Sequence, residues 1–260
     1  MSIITLTTDF GNLYPASMKG VILSIDPGAT IVDITHSIPP TDIRAGAFAL
    51  YSVARYFPAG TIHVAVIDPG VGTDRKPIVI SSGGQYFVGP DNGLLIPAAN
   101  LIGEMKVYEI VKEDIPDSIS STFHGRDIFA PVAAHISSGM DVNDICRATK
   151  EYVDLDFSGY VIEKDFIRAK VIYIDAFGNV VTNIPHDEFL RIIFPGTTLS
   201  ISGRQMPFLR TYGEVSKGRM LSLIGSHGFL EIAVNHGSAS RMLSLSNGTE
   251  ITIGIVKGSL

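Results

Sequence analysis

The hydrophobic period of this chain changes once, near residue 160, and the change divides it into two kinds of fold. Up to residue 150, strand-length apolar runs alternate with stretches of helical spacing. Ile3 to Thr8 reads as a strand. Ala16 to Ile25 reads as a helix, with Met18, Val21, Ile22 and Ile25 on one face, and Thr30 to Ile34 as a strand. Thr41-Asp42 can cap a helix running to Tyr56. Thr61 to Ile67 reads as a buried strand, and Pro77 to Ser81 with Gln85 to Val88 as a hairpin around Gly83-Gly84. Gly125 to Ser138 reads as a further helix. This alternation predicts an α/β domain whose mostly parallel sheet is flanked by helices on both faces. Beyond residue 160 the strands are short: Arg168 to Ile174, Thr198 to Ile201, Met220 to Ile224, Phe229 to Val234 and Glu250 to Val256. Turn residues separate them, which predicts a smaller all-β barrel or sandwich. The boundaries that follow are 1–155 and 165–260, with a linker from Tyr152 to Glu163.

Composition removes several classes of function. The chain has 260 residues, 45% of them apolar and 18% charged, as globular proteins do. A net charge of −6 without any Lys/Arg block argues against non-specific nucleic-acid binding. Cys146 is the only cysteine, so intramolecular disulfides and Cys-based zinc sites are excluded. His36, His63, His135, His186, His227 and His236 show no metal-ligand spacing, so no metal is expected. No signal peptide and no membrane-length apolar run is recognisable, which makes the cytoplasm the expected location and a membrane partner unexpected.

The chemistry-bearing residues gather at strand ends. Ile67-Asp68-Pro69-Gly70-Val71-Gly72-Thr73-Asp74-Arg75 follows a buried strand, so Asp68 arrives at the carboxyl edge of the sheet, where open α/β folds bind ligands. The glycine turns bring Arg75 back beside it. Such a pair can be a loop-stabilising salt bridge or can orient a small polar nucleophile. Gly70-Val71-Gly72 is no nucleotide fingerprint, because it lacks a third glycine and a following helix. Asp9, in Thr7-Thr8-Asp9-Phe10-Gly11, ends the first strand and can cap a helix or accept hydrogen bonds from a ribose diol. Thr122-Phe123-His124-Gly125-Arg126-Asp127 places His124 at a helix start. Asp175-Ala176-Phe177-Gly178-Asn179 offers either an ordinary turn or an aromatic face beside an amide able to read adenine. Thr182-Asn183 follows, and Gly225-Ser226-His227-Gly228-Phe229-Leu230-Glu231 is a hairpin carrying polar side chains.

Taken together these segments, with Met18-Lys19-Gly20, Val32 to Pro39 and Val88 to Gly93, resemble the S-adenosyl-L-methionine (SAM) hydroxide adenosyltransferases, or SAM hydrolases, along essentially the whole chain. The SAM-dependent fluorinases and chlorinases are relatives of that family. The resemblance implies a catalytic Asp-Arg-His triad at Asp68, Arg75 and His124. It puts ribose binding at Asp9, adenine binding at Phe177 and Asn179, and methionine-end contacts at Asp175 and Ser226. Asn183 and Glu231 complete the implied substrate-binding set. It also implies a homotrimer with its sites between subunits, SAM as substrate rather than cofactor, and no dissociable cofactor. The expected reaction is attack of water on ribose C5′, giving adenosine and L-methionine. Rival readings are a SAM-dependent halogenase, a non-catalytic SAM or adenosine sensor, and a structural trimer. The halogenases lack the triad, carry an extra N-terminal loop, and have arginine where this chain has His227. One departure from the family is the short Phe10 to Ser17 stretch, where many relatives have a longer loop near the amino-acid end of SAM.

Overall fold

The computed structural model describes residues 2–111 and 119–256, and the chain divides into two compact units, Met1–Asp156 and Phe157–Leu260. The first unit is built on a seven-stranded sheet. Its strands are β1 (Ile3–Thr8), β2 (Thr30–Thr35), β3 (Ile62–Val66), β4 (Pro77–Ser82), β5 (Gln85–Pro90), β6 (Met105–Ile110) and β7 (Cys146–Thr149), in the order β2-β1-β3-β5-β4-β6-β7. The helices are α1 (Tyr14–Ile25), α2 (Ile43–Ala54), α3 (Ile96–Ile102), α4 (Ala130–Ser137) and the single turn α5 (Val142–Ile145).

The sheet is mixed, which corrects the mostly parallel expectation. β2, β1, β3 and β5 run parallel, while β4 is antiparallel to both β5 and β6, and β6 to β7. The cause is local. The Gly83-Gly84 turn folds β5 back onto β4, and β5 rather than β4 takes the place beside β3. β6, β7, α3 and α5 carry too weak a period to be read in advance.

Alternation along β1 and β3 decides which helix covers which face. Ile4, Leu6, Val64 and Val66 form one core with Met18 and Ile22 of α1 and Ala133 of α4. Thr5 and His63 point the other way, where Gln85 ties His63 to the carbonyls of Ala54 and Phe57 at the end of α2. Asp42 caps α2 by accepting from Ala45 N–H at 3.0 Å. Burying an Ile or Leu side chain contributes about 1.5–3 kcal/mol, so this two-faced core fixes the register of the carboxyl edge where the candidate residues stand.

The second unit adds β8 (Val161–Ile162), β9 (Phe166–Ile174), β10 (Val180–Pro185), β11 (Thr198–Ile201), β12 (Arg204–Pro207), β13 (Met220–Ile224), β14 (Phe229–Val234) and β15 (Glu250–Val256), with short helices α6 (His186–Leu190) and α7 (Ala239–Leu243). The strand order β12-β11-β15-β9-β10-β14-β13 curls until its two ends meet at a Phe208–Ser222 bridge, with Leu209 N–H donating to Ser222 O at 2.9 Å. The result is a nearly closed barrel rather than a sandwich. Its interior holds Ile167, Val180, Leu199, Leu230, Ile232 and Ile253, and Phe189 and Phe208 meet edge to face inside it. Part of the expected linker is barrel: Val161–Ile162 pairs with β9.

Candidate active site

β3 ends at Val66 and delivers Asp68 two residues later. The next turns are closed by Val71 N–H to Asp68 O and Thr73 N–H to Gly70 O, so the chain reverses and returns Arg75 to the carboxylate. Arg75 Nε donates to Asp68 Oδ1 at 3.1 Å and Nη2 to Oδ2 at 2.5 Å, a bidentate pair. The two side chains are only 7% and 4% exposed. Asn92, just past β5, steadies the approach by donating to Ile67 O at 2.9 Å. Phe129 lies under the guanidinium, 5.3 Å from its carbon.

His124 joins from a distant loop. Its Nδ1 is 3.0 Å from Arg75 Nη2. A guanidinium only donates, so Nδ1 accepts and the imidazole carries its proton on Nε2. Two features set this contact. The five residues after His124, Gly125–Phe129, form a π-helical turn leading into α4, a distortion common at functional sites. The Gly72 backbone also lies directly on the segment before His124: φ is +78° there, and a Cβ would stand 2.6 Å from Ser121 O.

One atom of this cluster is unspent. Arg75 Nη1 is buried and has no hydrogen-bond partner among the described residues. An unpaired buried donor is costly unless something else accepts from it, and here it belongs to a cation locked in place on its other side. Nearby Asp91 has its pKa raised, burial outweighing its hydrogen bond from Val153 N–H and the charges of Lys76 and Arg75.

Asp9 stands one residue past β1, and its Oδ2 accepts from Thr41 N–H at 2.9 Å, where Thr41 adopts a left-handed φ of +66°. Phe10, Tyr14 and Phe123 form an edge-to-face aromatic cluster beside it.

In the barrel unit a cleft of about 850 Å³ is lined by Phe177, Asn179, Tyr212, Asn235, Ser238 and Arg241, among others. Phe177 projects from its turn and is 79% exposed. Asp175 organises that turn: Oδ1 accepts from Phe177 N–H and Asn179 N–H, and Oδ2 from Asn179 Nδ2. Gly178 is required there, since at φ +81° its backbone touches Ser238. Ser226 is exposed at the tip of the β13–β14 hairpin.

Two of the sequence candidates sit deeper. Asn183 is buried in β10, its Oδ1 accepting from Lys170 N–H and its Nδ2 donating to Ser158 O, so in this chain it ties strands together. Glu231 is 3% exposed; Tyr212 donates its hydroxyl to Oε1 at 2.7 Å, and His227 Nε2 lies 3.2 Å from Oε2. Burial and the Glu231 carboxylate hold the Tyr212 hydroxyl protonated, well above its ordinary pKa. Glu231 thus lies behind the cleft wall. Sequence reasoning missed Asn92, Tyr212 and Arg241. Only Asn92 had a signal, a polar turn at a strand's carboxyl end.

Comparison with known proteins finds matches to both units. Residues 4–146 match the SAM hydroxide adenosyltransferase N-terminal domain, and residues 169–252 match the corresponding C-terminal domain. A protein of Methanocaldococcus jannaschii named (R)-S-adenosyl-L-methionine hydrolase is 39% identical, covering 97% of this chain and 96% of its own length. A fluorinase of an Actinoplanes species is 26% identical over 96% of this chain and 97% of its own. The crystal structure of an uncharacterized conserved protein from Thermotoga maritima superposes with a TM-score of 0.87 at 38% identity, covering 97% of this chain and 99% of that one. With two family models spanning the α/β unit and the barrel in order, the chain belongs to the SAM hydroxide adenosyltransferase family.

Proposed function

We propose that this protein hydrolyses S-adenosyl-L-methionine to adenosine and L-methionine. The observation that carries the reading is Arg75: a buried guanidinium, clamped by Asp68 and His124, whose unpaired Nη1 can donate to a ligand oxygen. A water held on Nη1 meets a fixed positive charge that favours its hydroxide character. Its oxygen forms the new bond to ribose C5′ while the C5′–sulfur bond breaks, the electron pair leaves with the now neutral thioether, and the water's proton passes to solvent. Asp68 spends both oxygens on Arg75 and therefore orients it. His124 holds Nη2 through Nδ1, which puts its own proton on Nε2. Neither a metal nor a cofactor enters this scheme.

The binding roles follow the same reading. Asp9 grips the ribose diol. Phe177 stacks on adenine, and Asn179, its amide oriented by Asp175, reads the base edge. Asp175 and Ser226 face the methionine end, while Glu231 and Asn183 support the barrel side. A homotrimer brings the triad of one copy to the cleft of another, and the protein works in the cytoplasm. No helix among the described residues is long and apolar enough to cross a membrane.

The test is a product assay on purified protein with SAM, with and without chloride or fluoride. Adenosine and methionine are expected regardless of halide. Arg75→Gln should lower kcat by about 10²–10³-fold, the usual cost of a lost charge-stabilising donor. Because that change strands Asp68, the pair Asp68→Asn/Arg75→Gln serves as the folded control. A 5′-halogenated nucleoside would replace the reading with a halogenase; tight binding without turnover would replace it with a sensor. Sedimentation gives the oligomeric state.

A further inference from the structure

Asp9 is the first residue beyond β1, and what holds it comes from β2. Leu6 pairs with Asp33, yet Thr7 pairs with Thr35, so Ile34 is the extra residue of a β-bulge. The bulge advances β2 by one residue against β1, which brings His36 level with Thr8 in place of Thr35. His36 Nδ1 is 2.9 Å from Thr8 Oγ1, and its Nε2 is 3.0 Å from Asp33 Oδ1. Asp33 is paired in turn with Lys19 at 2.5 Å. Burial raises the pKa of Asp33, but Lys19 and His36 together hold it below its ordinary value.

His36 Nε2 faces the Asp33 carboxylate without being aligned for a hydrogen bond to it; the anion on that side favours the tautomer with the proton on Nε2, so that Nδ1 accepts from the Thr8 hydroxyl. Thr8 Oγ1 then accepts from Phe10 N–H at 3.4 Å, and the His36 carbonyl accepts from Gly11 N–H at 3.0 Å. The residues on both sides of Asp9 therefore hang from one histidine. Thr8 is fully buried, so its hydroxyl has no solvent alternative. Oδ2 of Asp9 accepts from Thr41 N–H, so on this reading Oδ1 is the oxygen left for the diol.

We infer that His36 is a positioning residue for Asp9, fixing the carboxylate that receives the ribose diol and so setting nucleoside affinity rather than the rate of the chemical step. This rests on the reading of Asp9 as the ribose-binding residue. The proposal separates two nucleosides that differ only in the diol: adenosine should feel the loss of His36, and 2′,3′-dideoxyadenosine should not.

The experiment is calorimetric titration of both nucleosides into wild type, His36→Ala, His36→Asn and Thr8→Val, with SAM kinetics alongside. Wild type should prefer adenosine. His36→Ala should weaken adenosine about tenfold, the loss of roughly one good hydrogen bond, while dideoxyadenosine stays within about twofold. KM for SAM should rise about tenfold with kcat within about threefold. His36→Asn, whose amide oxygen can replace Nδ1, should recover most of the affinity, and Thr8→Val should reproduce His36→Ala. Equal weakening of both nucleosides, or unchanged adenosine affinity in His36→Ala, would overturn the inference and leave the reading of Asp9 standing. A wild type indifferent to the diol would overturn both.

Discussion

His63 lies in the middle of β3, fully buried, stacked on Phe87 at 4.9 Å and edge-on to Phe57. Gln85 spends its NH₂ on two carbonyls, so its Oε1 accepts from His63 Nε2–H, and Nδ1 accepts from Thr5. The ring is satisfied only when neutral. Burial lowers its pKa from 6.5 to about 4, outweighing the opposing Gln85 bond. Above pH 6.5 the ring is neutral folded or unfolded, and its full contribution to stability is present. Between pH 6.5 and about 4 the unfolded chain takes up a proton that the folded chain refuses, so stability falls as pH falls. At about 1.36 kcal/mol per pH unit, the loss is about 2 kcal/mol by pH 5 and about 3 kcal/mol by pH 4. Urea unfolding at pH 7.5 and pH 5.0, read by hydrogen exchange at β3 amides, measures it. The His63→Asn variant carries every other titrating group, so the difference between the two proteins isolates this ring. Wild type should lose about 2 kcal/mol more than the variant over that interval. Equal losses would refute the argument.

Three other changes probe the site. Arg75→Lys keeps the charge but cannot engage Asp68, His124 and a water together, so kcat should fall at least about tenfold with KM for SAM little changed; a fully active lysine variant would rule out the bridging role. Gly72→Ala drives a Cβ against Ser121 O at a left-handed φ. It should cost about 1–3 kcal/mol in stability and lower kcat, measured by thermal unfolding and turnover, and wild-type behaviour would show that the loop simply shifts. Phe177→Ala should leave Tm unchanged, because the ring is already exposed, while weakening adenosine by about 1–3 kcal/mol in a binding titration. A lower Tm with intact affinity would return Phe177 to a structural role.

What was legible in the sequence was what local chemistry writes. The run Thr61 to Ile67 and the glycines after it suffice to place Asp68 at a strand end with Arg75 folded back, and in the structure the two are paired. The short β strands named in advance are strands, and Asp42 is the cap it was expected to be. The misses are non-local. The hairpin at Gly83-Gly84 was legible and pairs β4 with β5, but no pattern in Gln85 to Pro90 says that it will lie beside β3, so the order of that half of the sheet could not be read. Asn183 was named through the family resemblance; what its sequence context does not show is that its amide, on β10, accepts from Lys170 N–H and donates to Ser158 O. The bulge at Ile34 is likewise a property of two strands together, which is why His36 carried no signal.

The closure of the barrel at Phe208 and Ser222 has a consequence for how copies of this chain can meet. Because the two ends of the sheet come together at that bridge, the described residues of the second unit present only short edges, which disfavours recruiting a neighbour by adding a strand. The open ends are β2 and β7 of the first unit, and these edges carry charge, Asp33 on one and Arg147 on the other. Association of this protein is therefore expected to rely on side chains more than on strand pairing. It can be retuned, or abolished, one surface residue at a time without touching either hydrogen-bonded sheet.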